Sequence, residues 1–187
     1  IQNHYVTEYL VSEILAQQAD TLSDCMLKIS VLDRFCADLC ETICSEPVEP
    51  SGSDPMQAEL TGSQFLEWLQ GSNLFVIPLD NQCEWFRYHH LFRDFLQQEL
   101  AKRFPPEEIA NLNIAAGGWY AQNGLIEEAL NHLLAGDATN TAIRLVAQQR
   151  YQLVNEQQWV RLERWLNLFS SDVIETSVEL WMMKTWL

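Results

Sequence analysis

Residues 63–100 read SQFLEWLQGSNLFVIPLDNQCEWFRYHHLFRDFLQQEL, and the change of period along this stretch decides the fold. Phe65, Leu66 and Leu69 recur at helical spacing, and Gly71 stops the run. Residues 74–79 and 85–88 are then rich in β-branched and aromatic side chains on either side of an Asp80-Asn81 turn, the signature of a hairpin. Helical spacing resumes over 91–104, and Pro105-Pro106 ends it because proline supplies no amide hydrogen and clashes with the preceding turn.

Working outward, Leu10, Ile14 and Leu15, then Leu22, Met26 and Leu27, predict two amphipathic helices, the second with Ser23 as its N-cap. A third helix is expected over 37–45, followed by a loop through PVEPSGSDP at 47–55. Three helices, a short helix and one β-hairpin make a winged-helix plan, here assigned to residues 1–104. After Pro106 the pattern is helix upon helix: 107–122, 125–134, 138–151, 156–168 and 178 onward, broken at Asn123-Gly124, Gly136-Asp137 and Ser170-Ser171-Asp172. Helices paired through short turns predict an α-solenoid over 105–187. WYAQNG followed by LIEEALNHLLAGD resembles a tetratricopeptide-like unit, with Ala129 as the small residue at the helix crossing. The predicted fold class is therefore mainly α, a winged-helix domain with one hairpin followed by a helical array.

Composition sets limits on function. With 187 residues, 48% of them hydrophobic, and seven tryptophans, the chain can bury a core. No apolar run approaches a bilayer span and no leader opens the chain, so a soluble, cytoplasmic protein with no membrane partner is expected. Ile1 in place of Met, and a last run VELWMMKTWL without a terminator, suggest a piece of a longer protein. Five cysteines, an odd count, point to reduced thiols. Cys36, Cys40 and Cys44 form a straight helical stripe whose thiols do not converge, which suits small buried side chains better than a cluster. Net charge is −15, and the 52 residues from Phe35 to Phe86 hold nine acids and no Lys or Arg. The helix before the hairpin offers only Gln64, Gln70 and Asn73 to a groove, so direct DNA contact by this chain is not expected.

Catalytic signatures are missing. None of the seven glycines precedes a lysine, so there is no phosphate loop, and neither H-E-x-x-H nor G-x-S-x-G occurs. Residues 1–187 should not act as an enzyme. The adjacent histidines need separate weighing. On a helical wheel His89 stands about 65° from the centre of the apolar face of Leu91, Phe92, Phe95, Leu96 and Leu100, and His90 about 165° away. Geometry therefore separates the pair, and no metal site is expected. For His89 the plain reading is a half-buried imidazole capping an aromatic cluster. Trp119, Trp159, Trp165, Trp181 and Trp186 are expected mainly as inter-helix core, a ligand groove being the other reading, with Trp181 and Trp186 able to form an exposed patch.

Four blocks in order carry a family resemblance: SVLDRF, FLEWLQGSNLFVIPLD, WFRYHHLFRDFLQQEL and AAGGWYAQNGLIEEALNHLLAGD. Together they resemble the middle of the MalT-type, LuxR-class transcriptional regulators of the signal-transducing (STAND) ATPase group, over roughly residues 5–187. The resemblance implies an order of parts: an ATPase domain, a winged helix, a helical-repeat sensor and a DNA-binding helix-turn-helix. This chain would hold the second and the start of the third. It also implies ATP or ADP with magnesium as cofactors of the parent protein, none of them in this fragment. The implied partners are the ATPase domain of the same chain and a small-molecule inducer or regulatory protein at the repeats. Arg87-Tyr88-His89-His90-Leu91-Phe92 is similar to the family's R-Y-H-x-L-[FL], in which the first histidine matches His89 and implies contact with the β-phosphate of bound ADP. The competing expectation is a protein-interaction scaffold, an acidic winged helix with a helical-repeat groove for a peptide and no nucleotide or DNA role.

Overall fold

The computed structural model describes residues 19–44, 61–72 and 75–187. The helix expected around Leu10 to Leu15 and the loop at 47–55 lie outside the described residues. The chain divides into two compact units, Ile1–Leu112 and Asn113–Leu187.

In the first unit α1 spans Asp20–Ile29, α2 Ala37–Cys44, α3 Gly62–Gly71, β1 Val76–Pro78, β2 Phe86–Tyr88 and α4 His90–Arg103; α5, Pro106–Gln122, begins here. Helix α1 starts three residues before the expected Ser23 cap. Ala19 is the N-cap, its carbonyl accepts the Ser23 N–H at 3.0 Å, and Asp20 supplies negative charge to the first turn. Ser23 is buried inside the helix instead. At α3, Thr61 and Gln64 form a capping box in which each side chain accepts the other's backbone N–H.

Strands β1 and β2 pair antiparallel in the register Val76–Tyr88, Ile77–Arg87 and Pro78–Phe86. The hairpin extends one step further through Leu79 N–H to the Trp85 carbonyl at 2.8 Å. Asp80 closes the loop, its two carboxylate oxygens accepting the N–H groups of Glu84 at 3.0 Å and Trp85 at 2.9 Å. On the other side of β2, Phe35 exchanges both backbone hydrogen bonds with Phe86, at 2.8 and 2.9 Å, which ties the α1–α2 connection to the hairpin. This three-helix, one-hairpin arrangement is a winged helix.

An aromatic chain runs through its core. Phe35 packs on Phe86 and Tyr88, Tyr88 meets Phe92 edge to face at 5.3 Å, and Phe92 meets Phe75 at 5.5 Å. Burying each of Phe35, Phe86, Tyr88 and Phe92 contributes about 2–3 kcal/mol, while Phe75 stays 46% exposed at the end of the chain of rings. Helix α4 also caps α1. Arg93 Nε donates to the Ser30 carbonyl at 3.0 Å and its guanidinium pairs with Asp33, while Gln97 donates to the same Ser30 carbonyl at 2.9 Å. A cation therefore sits where the α1 dipole is negative and its carbonyls lack helical partners.

Besides the Ser23 cap, two further expectations fail in this unit. Leu91, assigned to the apolar face of the long helix, is 49% exposed because it lies in the first turn, off the side that buries Phe92, Phe95, Leu96 and Leu100. The cysteines are not all free: Cys25 of α1 and Cys44 of α2 are joined in a disulfide, their Cα atoms 5.3 Å apart. The α2 stripe points one end at α1, and packing of the two helices brings the sulfurs together. Cys36, Cys40 and Cys83 remain as thiols, of which Cys40 is buried as expected.

The second unit is helical throughout: the remainder of α5, then α6 Ile126–Ala135, α7 Thr139–Asn155, α8 Trp159–Leu166, α9 Ser171–Thr176 and α10 Val178–Lys184. Helix α9 occupies the Ser170-Ser171-Asp172 break read as mere punctuation. It is only six residues long and buries a single side chain, Ile174, too little to produce a period. A Cβ on Gly117 would lie 2.7 Å from Leu133 Cγ and 3.1 Å from the Ala129 carbonyl oxygen, so Gly117 and Ala129 together form the close α5–α6 crossing. Beside it, buried His132 Nδ1 bonds Asn113 Oδ1 at 2.9 Å and stacks on Tyr120. Of the five tryptophans considered as core, only Trp165 is fully enclosed, at 1% exposure. Trp159, Trp181 and Trp186 are exposed and Trp119 is half-buried. Trp181 and Trp186 join Val178, Met182 and Leu187 among the exposed apolar residues of the α10 region.

Candidate functional site

His89 is the last residue before α4 and serves as its N-cap, with extended backbone at φ −60° and ψ 137°. Its N–H donates to the Phe75 carbonyl at 2.7 Å, and its own carbonyl accepts the Arg93 N–H at 3.0 Å. One backbone thus fastens the hairpin to the helix. Phe75 reaches this carbonyl position in the left-handed region, φ 44°, which is rare for a bulky L residue and costs about 1 kcal/mol. The site's edge is therefore slightly strained and held by the Phe75–Phe92 contact.

His89 is half-buried and His90 exposed. The helical-wheel separation of the pair does not hold: the two rings lie 4.3 Å apart, centroid to centroid, and 33° from parallel. The wheel assumes that both residues are helical, whereas His89 sits on extended backbone that turns its ring back toward His90. Among the described residues no third His, Cys, Asp or Glu joins them in a group able to hold a metal ion.

The surroundings suit an anion more than a cation. The first turn of α4 has neither a capping side chain nor an acidic residue, so no side-chain oxygen or carboxylate of its own offsets the positive end of the helix dipole. Two imidazoles stand at that end. Phe75 and Leu91, 46% and 49% exposed, supply apolar surface in the residues flanking this junction. Phe75 was not marked as functional from the sequence. The missing cap was legible, since His89 occupies the position where Ser, Thr, Asp or Asn would cap a helix.

The outward residues of α3, which a DNA-reading winged helix would present, are Ser63, Gln64, Glu67 and Gln70, with no lysine or arginine among them. At the hairpin loop, bonds from the backbone N–H of Glu84 hold the Asp80 carboxyl below its usual value, so acid is added there. Deeper in, burial pushes the Tyr88 phenol well above its normal range, with the neighbouring Cys40 as a second cause, and its hydroxyl has no hydrogen-bond partner. Burial likewise raises Cys40 and, to a lesser degree, Cys36. These groups are core rather than site.

Residues 11–108 match the MalT winged helix domain family. The chain belongs to that family. Its relatives include the HTH-type transcriptional regulator MalT of Vibrio campbellii, 25% identical over 190 residues, and that of Yersinia pestis, 30% identical over 187. These alignments take in 99% and 98% of this chain and 19% of each relative. The serine/threonine-protein kinase PknK of Mycobacterium tuberculosis is 26% identical over 182 residues, 97% of this chain and 15% of the kinase. The chain thus spans less than a fifth of the length of these curated relatives. For this MalT-type winged helix, the matched span runs from before α1 to the start of α5 and includes His89. No described helix is long and apolar enough to cross a membrane.

Proposed function

We propose that this chain is a regulatory segment of a cytoplasmic, ATP-dependent and inducer-responsive transcriptional regulator of the LuxR class. Its winged helix restrains a nucleotide-bound ATPase domain of the same protein, and the helices after α4 begin a tetratricopeptide-like sensor for an inducer or regulatory protein. ATP or ADP with magnesium belongs to the ATPase domain. His89 contacts the ADP phosphate there, and the restrained form is the inactive one.

The observation that carries this reading is the uncapped N-terminus of α4 with two imidazoles beside it, a ready anion site on the winged helix. The cation-poor outer face of α3 supports docking to protein rather than DNA. A switch of this kind needs only a difference in affinity between its two states. The test is inducer dependence in the full-length parent. His89→Ala should raise reporter transcription without inducer, and an unchanged basal level with full inducibility would count against the proposal.

A further inference from the structure

We propose that Cys25 and Cys44 form a reversible redox staple that sets how firmly α1 holds α2 in the winged-helix unit. Both residues lie at a mechanical joint. Helix α1 is fastened to α4 through Arg93 and Gln97, and α2 is fastened to α3 at the Gly62–Ala37 approach. The disulfide links the two pairs and closes a separation of 19 residues. Cys25 is 4% exposed, but Cys44, the last residue of α2, is only half-buried, so a thiolate from solution can reach the Cys44 sulfur. The reduced state is also accommodated, because Cys44 Sγ lies 4.0 Å from the Cys25 carbonyl oxygen, within range of a thiol hydrogen bond. Cys36 and Cys40 do not compete. Burial disfavours their thiolates, and the thiolate is the attacking species.

The chemistry is thiol–disulfide exchange with a monothiol of the glutathione class. A thiolate attacks Cys44 Sγ, the Cys25–Cys44 bond breaks, and Cys25 leaves as a thiolate that takes a proton. A second monothiol then attacks the mixed disulfide on Cys44, releasing the small-molecule disulfide and the Cys44 thiol. Oxidation runs the other way: two protein thiols give two electrons and two protons to one small disulfide, which departs as two thiols. Closed loops of this size stabilise mainly by restricting the unfolded chain, so reduction lowers the unit's stability and lets the α1–α2 joint open more often without rebuilding it.

The experiment equilibrates the native chain in mixtures of reduced and oxidised glutathione, quenches with acid, unfolds it and alkylates free thiols. Of the five cysteines, three are free in the stapled form, so the cysteines carrying an alkyl group or, as exposed Cys83 can, a glutathione should rise from three to five in intact mass as the mixture becomes reducing. Peptide mapping should place the bond between Cys25 and Cys44. On reduction the melting temperature of the winged-helix unit should fall by roughly 12–24 °C, and in a Cys25→Ser, Cys44→Ser double variant it should not respond to thiol. Three adducts in excess reduced glutathione, five in oxidised glutathione, or a bond mapped elsewhere overturns the staple. An unchanged melting temperature on reduction overturns its mechanical role.

Discussion

Substituting Gly62 by alanine probes the packing that shapes the winged helix. The new Cβ would lie 1.9 Å from the Ala37 carbonyl oxygen, 2.8 Å from the Ala37 carbonyl carbon and 3.1 Å from the Glu41 amide nitrogen. All three are backbone atoms of α2, so no side chain can swing away. Restoring ordinary contact requires α3 to back off by roughly 1.5 Å, which opens the layer around Phe65, Leu66 and Leu69. Overpacking of this kind costs about 1–3 kcal/mol, and an immovable neighbour places Gly62→Ala at the upper end. Alanine's better helix propensity returns at most about 1 kcal/mol. The net is about 2 kcal/mol, or a fall of roughly 8–16 °C in the melting of a unit this size. Thermal unfolding followed by circular dichroism reads it. Gly71→Ala, at the other end of α3, is the control: its Cβ would meet nothing within 4 Å, so it should leave stability level or slightly raised. If Gly62→Ala melts within two degrees of Gly71→Ala, the close α2–α3 approach is wrong.

Two further outcomes are expected. The Asp80 carboxyl is held below its usual 3.8 by the Glu84 and Trp85 amides, so its contribution to the hairpin is fully present above that value and lost as pH falls through the folded one. Asp80→Asn should therefore flatten the acid limb of stability below about pH 4, and parallel limbs would sink the assignment. Arg93→Lys should cost about 1–2 kcal/mol in urea unfolding, because a point cation cannot serve the Ser30 carbonyl and the Asp33 carboxylate as the guanidinium does. Stability within 0.3 kcal/mol of the unaltered chain would show that Gln97 alone caps α1.

The hairpin and α4 were legible because their signals are local. Period 2 gives way to period 3.6 at Tyr88–His89, and Pro105 ends the helix within a residue of the expected place. The aromatic core followed from the same spacing. Features set by tertiary contact were not legible. The start of α1 at Asp20 depends on an Ala19 carbonyl that no propensity marks, and the Cys25–Cys44 bond depends on how α1 and α2 pack. The exposure of Trp159, Trp181 and Trp186 depends equally on packing, since an apolar side chain states only what it could bury. At the candidate site, burial of His89 relative to His90 was readable, whereas the contact between their rings needed the backbone of an N-cap residue.

The central claim is that His89 helps hold the nucleotide of a neighbouring ATPase domain, and ADP release from the full-length parent tests it most directly. Loss of one hydrogen bond to a charged phosphate is worth about 1.5–3 kcal/mol, so His89→Ala should release labelled ADP roughly 10- to 100-fold faster. The exposed His90→Ala should change it much less. Release from His89→Ala at the unaltered rate would contradict the account.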